Sequence, residues 1–184
     1  MKRNNINILI SVSLVAFAVL VRIVYAEKHM YNFAPIVAIG LFSCAIIKDK
    51  RLLALLIPLC GQFFADLYFQ LFTHTPGFYP GELYNYAGLA GAAALGFMMK
   101  QPTFGNALAY VFGASTLFFL VSNFGYFMAG YNGFTFAGLE KTYSDAIPFY
   151  RNTFLGDIIG GTVLFGSYFI ASGIFSKKLQ QAKA

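Results

Sequence analysis

The chain has 184 residues, 58% of them hydrophobic and only 11% charged, with a mean hydropathy of +0.64. A soluble domain carries about 25% charged residues, so this composition excludes an ordinary water-soluble fold and predicts an all-α integral membrane protein. The net charge of +6 does not point to nucleic acid, because the basic residues stand between apolar runs instead of clustering on one surface.

Lys2 and Arg3 precede a first apolar run over 6–26, interrupted by Arg22. The charged start and the Val24-Tyr25-Ala26 ending also fit a secretory leader and its cleavage site. The run is long for a leader core and five more spans follow, so it reads as a retained helix. The second span, 33–47, is entered through Tyr31-Asn32-Phe33-Ala34-Pro35. Its shortness implies tilt or shielding from lipid by its neighbours.

The third span, 51–72, is long enough to cross a ~30 Å hydrocarbon layer at ~1.5 Å per residue, and Pro58 predicts a kink within it. It carries Asp66 with Gln62 one turn before and Gln70 one turn after, a polar stripe on one helical face. An ionised carboxylate at that depth is costly unless something receives it.

Pro76, Gly77, Pro80 and Gly81 mark 73–81 as a loop. The fourth span, 83–99, opens with Tyr84-Asn85-Tyr86-Ala87, and its Gly88, Ala90, Gly91, Ala92, Ala93 and Ala94 predict close central packing. After a turn at 100–106 comes the fifth span, 107–130, with Ser122, Asn123 and Tyr126 near its far end. Residues 131–151 read as an aromatic-rich connection. The last span, 152–175, holds Asp157 and a Gly156-x-x-x-Gly160 pair. Cys44 and Cys60 lie inside apolar runs and read as packing residues, not as a disulfide or metal site.

These runs predict one domain over 1–184, a six-transmembrane-helix bundle. With the N-terminus inside, nine Lys and Arg residues face the cytoplasm and three (Lys28, Lys141, Arg151) face out, which puts both termini in the cytoplasm. Asp66 then lies roughly 22 Å up from Arg51 at ~1.5 Å per residue, in the outer third. Arg22, Asn123 and Asp157 fall near the same level on three other helices. Asn32, Asn85 and Asn152 stand where the three inward-running spans begin. There they would act as N-caps, with free backbone N–H groups directed at the outer mouth.

The candidate substrate-binding residues are therefore Arg22, Asn32, Asp66, Asn85, Asn123, Tyr126 and Asp157. Arg22 either snorkels to headgroups or pairs with Asp66 or Asp157. Asp157 is also placed to stabilise a helix dipole, and the aromatics from Tyr126 to Tyr150 also fit an interfacial belt.

An enzyme is disfavoured. The only histidines, His29 and His74, lie in loops, and no G-x-S-x-G, H-E-x-x-H or phosphate-binding G-x-x-x-x-G-K-[ST] occurs. No cofactor or resident metal is expected. The leading reading is a small-molecule uptake protein that captures its substrate from outside. The alternative is a structural or assembly subunit whose Gly156-x-x-x-Gly160 and small-residue faces meet other subunits.

Asn32-Phe33-Ala34-Pro35-Ile36 with Gly40-Leu41-Phe42, the acid Asp66, Ser122-Asn123-Phe124-Gly125, and Ala146-Ile147-Pro148-Phe149 leading to Gly156-Asp157 resemble an uncharacterised bacterial family described as transport proteins. That family is similar in size and layout to the S components of energy-coupling factor (ECF) transporters, over nearly the whole chain. The resemblance implies a multi-pass protein of the bacterial cytoplasmic membrane that binds a vitamin or metal substrate. It also implies a transmembrane coupling subunit and two ATPases as partners. An Ala-x-x-x-Ala docking pattern, common on the first helix of S components, is missing between Ser11 and Val21. The 22 Phe and 12 Tyr would suit stacking on a flat vitamin such as a corrinoid or flavin.

Overall fold

The structure, a computed structural model, describes residues 3–28, 33–100 and 103–181. Among these the chain forms six α-helices: α1 (Arg3–Glu27), α2 (Ile36–Ile46), α3 (Arg51–Phe72), α4 (Glu82–Met98), α5 (Phe104–Met128) and α6 (Phe136–Gln181), with a 3-10 turn over Lys48–Lys50 before α3. Four helical stretches are long and apolar enough to cross a membrane: Leu9–Glu27, Lys48–Phe72, Phe104–Met128 and Phe136–Ser172. With 11 and 17 residues, α2 and α4 are shorter.

Helix α2 is the centre of the packing. Val37, Ala38, Ile39, Leu41 and Cys44 are wholly buried, and α3, α4, α5 and α6 all pack against it. Its 11 residues reach only about 16 Å at ~1.5 Å each, and its neighbours shield it from surroundings that a longer helix would have to span. Small residues permit the approach. A Cβ at Gly40 would come within 2.9 Å of the Ala93 side chain, and one at Gly96 would overlap the Leu41 carbonyl. The Ala/Gly face of α4 packs centrally, as its composition predicts.

The distribution of polarity is that of a protein in oil. Leu9, Val12, Leu20, Leu52, Leu71 and Ile170 point outward, while Asp66 and Asp157 are buried. Water would favour the reverse.

Two expectations are corrected. The segment 136–151 is not a connection, because α6 runs unbroken for 46 residues through Pro148. Its first part is held on α5 by ring contacts, Tyr150 on Phe119 at 4.4 Å and Tyr143 on Phe119 at 5.8 Å. The Tyr143 hydroxyl also donates to the Leu120 carbonyl (2.8 Å). The asparagines are not helix caps either. Pro35 caps α2 and Gly81 caps α4, Asn85 lies within the first turn of α4, and Asn152 is interior to α6. Asn32 lies outside the described residues.

Candidate functional site

Helix phase brings a charged cluster together where α1 and α3 end and α4 begins. Helices α1 and α3 meet where Gly61 receives Ala18, whose Cβ would lie 2.9 Å from one added at position 61. About one turn beyond this contact, Arg22 on α1 reaches Asp66 on α3, with Nη2 2.6 Å from Oδ1. Asp66 is 1% exposed and the Arg22 side chain 24%. Gln62, one turn earlier on α3, donates to Asp66 Oδ2 at 3.1 Å, and the Tyr86 hydroxyl on α4 donates to the same oxygen at 2.8 Å. The Arg22 guanidinium also lies over the Phe69 ring, 5.7 Å from its centroid.

Glu82 sits one turn before Tyr86 and is 8% exposed. It lies within electrostatic range of both Asp66 and Arg22. Asn85 donates to its Oε2 at 3.3 Å and also to the Tyr79 hydroxyl. Burial, followed by the charge of Glu82, holds the Tyr79 phenol above its ordinary pKa. Two buried atoms in this cluster have no hydrogen-bond partner, Arg22 Nη1 and Glu82 Oε1.

The 73–81 loop folds back onto the same part of α3. Gln70 Oε1 accepts from the Gly77 and Phe78 amides at 3.2 and 3.4 Å. Gly77 passes so close that a Cβ there would overlap the Asp66 carbonyl oxygen. Thus the polar stripe predicted on α3 divides its work: Gln62 supports the acid and Gln70 pins the loop.

Asp157 belongs to a different network. It is wholly buried on α6, where its Oδ1 accepts from the Ala38 amide at 3.1 Å and its Oδ2 from the Ser115 hydroxyl at 2.9 Å. Ala38 lies in the first turn of α2, whose capping residue Pro35 makes no side-chain cap bond. Asp157 therefore supplies from another helix the carboxylate that an N-cap would supply locally.

The structure brings part of the expected set together. Arg22 and Asp66 come together and Asn85 borders them, whereas among the described residues Asn123, Tyr126 and Asp157 make no hydrogen bond or ion pair with the cluster. Asn123 donates to the Phe119 carbonyl of its own helix at 2.8 Å, and Tyr126 stacks on Tyr131 at 4.3 Å. Glu82, Tyr86 and Tyr79 join the site without having been singled out by sequence. The available signal was the pairing of Glu82 and Tyr86 one turn apart at a helix start.

At the other end of α4, an open depression of about 560 Å³ is lined by Met98, Met99, Lys100, Asn106 and Tyr110. Among the described residues no group of three His, Cys, Asp or Glu side chains gathers as a metal would require.

The fold and this cluster describe an all-helical membrane protein with a charged cluster enclosed among its helices. Over residues 2–181 the chain matches the model of DUF6580, described as a family of unknown function, and it belongs to that family. No curated protein and no solved structure matches it.

Proposed function

We propose that this protein is a substrate-binding membrane subunit that takes up a small, vitamin-like molecule at the Arg22–Asp66–Glu82 site. The observation that carries the reading is the burial of this ion pair and second acid, with two polar atoms left unpartnered, in a bundle whose core is mainly apolar. Replacing a buried ion pair by apolar side chains is often neutral or stabilising, so packing alone does not call for the pair. Charge kept inside a membrane bundle marks a substrate or ion path by default.

In this reading all six helices cross a bacterial cytoplasmic membrane with both termini inside. The central burial of α2 supports a crossing shorter than the layer, since its neighbours and not lipid surround it. The basic residues concentrate at the opposite ends of the helices, so the site and the 73–81 loop face outward. A transmembrane coupling subunit and ATPases of the ECF kind would supply energy, and the chain itself performs no chemistry. Flavins and corrinoids are ligands to try, given the Phe69, Tyr79 and Tyr86 rings at the cluster.

The assembly-subunit reading loses its main support. Gly160 is filled by Pro35 and Gly96 by the backbone of α2, so these small-residue surfaces serve internal packing.

The test is equilibrium binding of a labelled vitamin panel to the purified protein, with mass spectrometry of any ligand retained through gentle purification. Saturable binding weakened at least tenfold by Asp66→Ala is expected. Absence of any saturable binding, or binding indifferent to Asp66, overturns the reading.

A further inference from the structure

We infer that the molecule held here presents a positively charged amine to Glu82 and an acceptor oxygen to Arg22. This rests on the substrate-binding reading above and narrows it. Among the described residues, the elements around the cluster contribute one cation, Arg22 from α1, and two acids, Asp66 from α3 and Glu82 from α4. The remaining polar groups, Gln62, Tyr79, Asn85 and Tyr86, include no further cation or carboxylate.

The cation is already committed. Asp66 Oδ1 receives Arg22 Nη2, and Oδ2 receives Gln62 and Tyr86, so both carboxylate oxygens are engaged. Glu82 has no equivalent. Its Oε2 receives the neutral amide of Asn85, its other polar neighbours are the Tyr79 hydroxyl and the Asp66 carboxylate, and its Oε1 is buried without a hydrogen-bond partner. An enclosed carboxylate that shares its nearest cation with a second acid and is not fully hydrogen-bonded is strongly unfavourable.

The second orphan has the opposite polarity. Arg22 Nη1 is a buried donor lacking an acceptor. A simple anion would satisfy Nη1 but face two acids. A bare proton would satisfy Glu82 and leave Nη1 unmet, and a neutral apolar ligand would satisfy neither. A molecule bearing an ammonium and a hydroxyl, carbonyl or carboxylate oxygen meets both atoms and brings the cluster toward neutrality. Within the vitamin-like class this favours an amine-bearing member over a flavin.

The experiment uses the full chain in lipid nanodiscs at pH 7. Tyramine, ethanolamine and pyridoxamine are each compared with a counterpart lacking the amine: 4-ethylphenol, ethylene glycol and pyridoxine. At least one amine is expected to bind saturably and at least tenfold more tightly than its counterpart. Glu82→Gln should erase that preference and Glu82→Asp, which keeps the charge, should retain it, with both variants melting cooperatively.

Equal affinity for amine and counterpart, or a preference that survives Glu82→Gln, overturns the inference. Binding without amine preference that Asp66→Ala still weakens does so while leaving the substrate-site reading intact. If neither these probes nor the vitamin panel binds protein that melts cooperatively, both fail. Proton uptake that depends on Glu82, with no amine binding, assigns the negative charge to a proton and overturns the inference as well.

Discussion

The Arg22–Asp66 pair can be tested energetically without knowing any ligand. At 2.6 Å and an effective dielectric of ~20, two unit charges attract by about 6 kcal/mol. Desolvation of the pair offsets a large share of that, leaving a net coupling of about 3 kcal/mol, in keeping with the ~3–5 kcal/mol lost when one partner of a buried pair is removed. Arg22→Met keeps the stem that packs near Phe69, and Asp66→Asn keeps the shape that Tyr86 and Gln62 contact. Each single change should cost about 3–5 kcal/mol, and the double variant little more than the worse single one. The chain has no Trp, but Cys44 is wholly buried. In a Cys60→Ser background, unfolding by SDS titration in mixed micelles can therefore be followed through the labelling of Cys44 by a thiol reagent. A coupling below about 0.5 kcal/mol, the level of an exposed pair, would refute the reasoning and return Arg22 to a headgroup-seeking role.

Asp157→Ala should cost about 2–4 kcal/mol, because it leaves the Ala38 amide and the Ser115 hydroxyl buried and unpaired; the same titration measures it, and Asp157→Asn should recover part of the loss. Gly77→Ala should cost about 1–3 kcal/mol and raise hydrogen exchange across 73–81, since the added methyl cannot fit against the Asp66 carbonyl; unchanged exchange would show that the loop does not depend on this contact. Gly160→Val should destabilise the seating of α6 on Pro35 by a similar amount, read as a lower melting temperature. A reporter fused after Ala184 should register the cytoplasmic side, and an external signal would invert the orientation taken from the basic residues.

Much of the helix layout is legible in the sequence because apolar runs and their breakers report it directly. Helix α3 begins at Arg51 and ends at Phe72 as read, bounded by a basic flank and by a loop rich in Pro and Gly. Residues 136–151 escaped the same reading because Glu140, Lys141, Asp145, Pro148 and Arg151 break up their apolar members. What makes them helical is a set of ring contacts to α5, especially at Phe119, and no local pattern encodes such contacts. The asparagine caps failed for another reason: Gly81, at φ +92°, turns the chain in a left-handed conformation that glycine adopts without strain. This starts α4 three residues before Asn85 and puts Glu82, not Asn85, at the helix entrance.

The two buried aspartates show where legibility stops. Both were visible as charges in oil, and nothing in their local sequence distinguishes their roles. In the folded chain Asp157 is consumed: its oxygens answer an uncapped helix start and a serine, and among the described residues no buried side-chain atom beside it is left unpaired. Asp66 is also engaged on both oxygens, yet its surroundings are not, since Arg22 and Glu82 each retain a buried atom without a partner. A structural acid closes its local hydrogen-bond account, whereas a binding site leaves complementary groups open for what enters. That difference depends on which faces of α1 and α4 turn toward α3, a matter of helix phase fixed by contacts such as Ala18 against Gly61. Moving Glu82 by one position along α4 would rotate it about 100° around the helix, and the open acceptor would face away from Arg22.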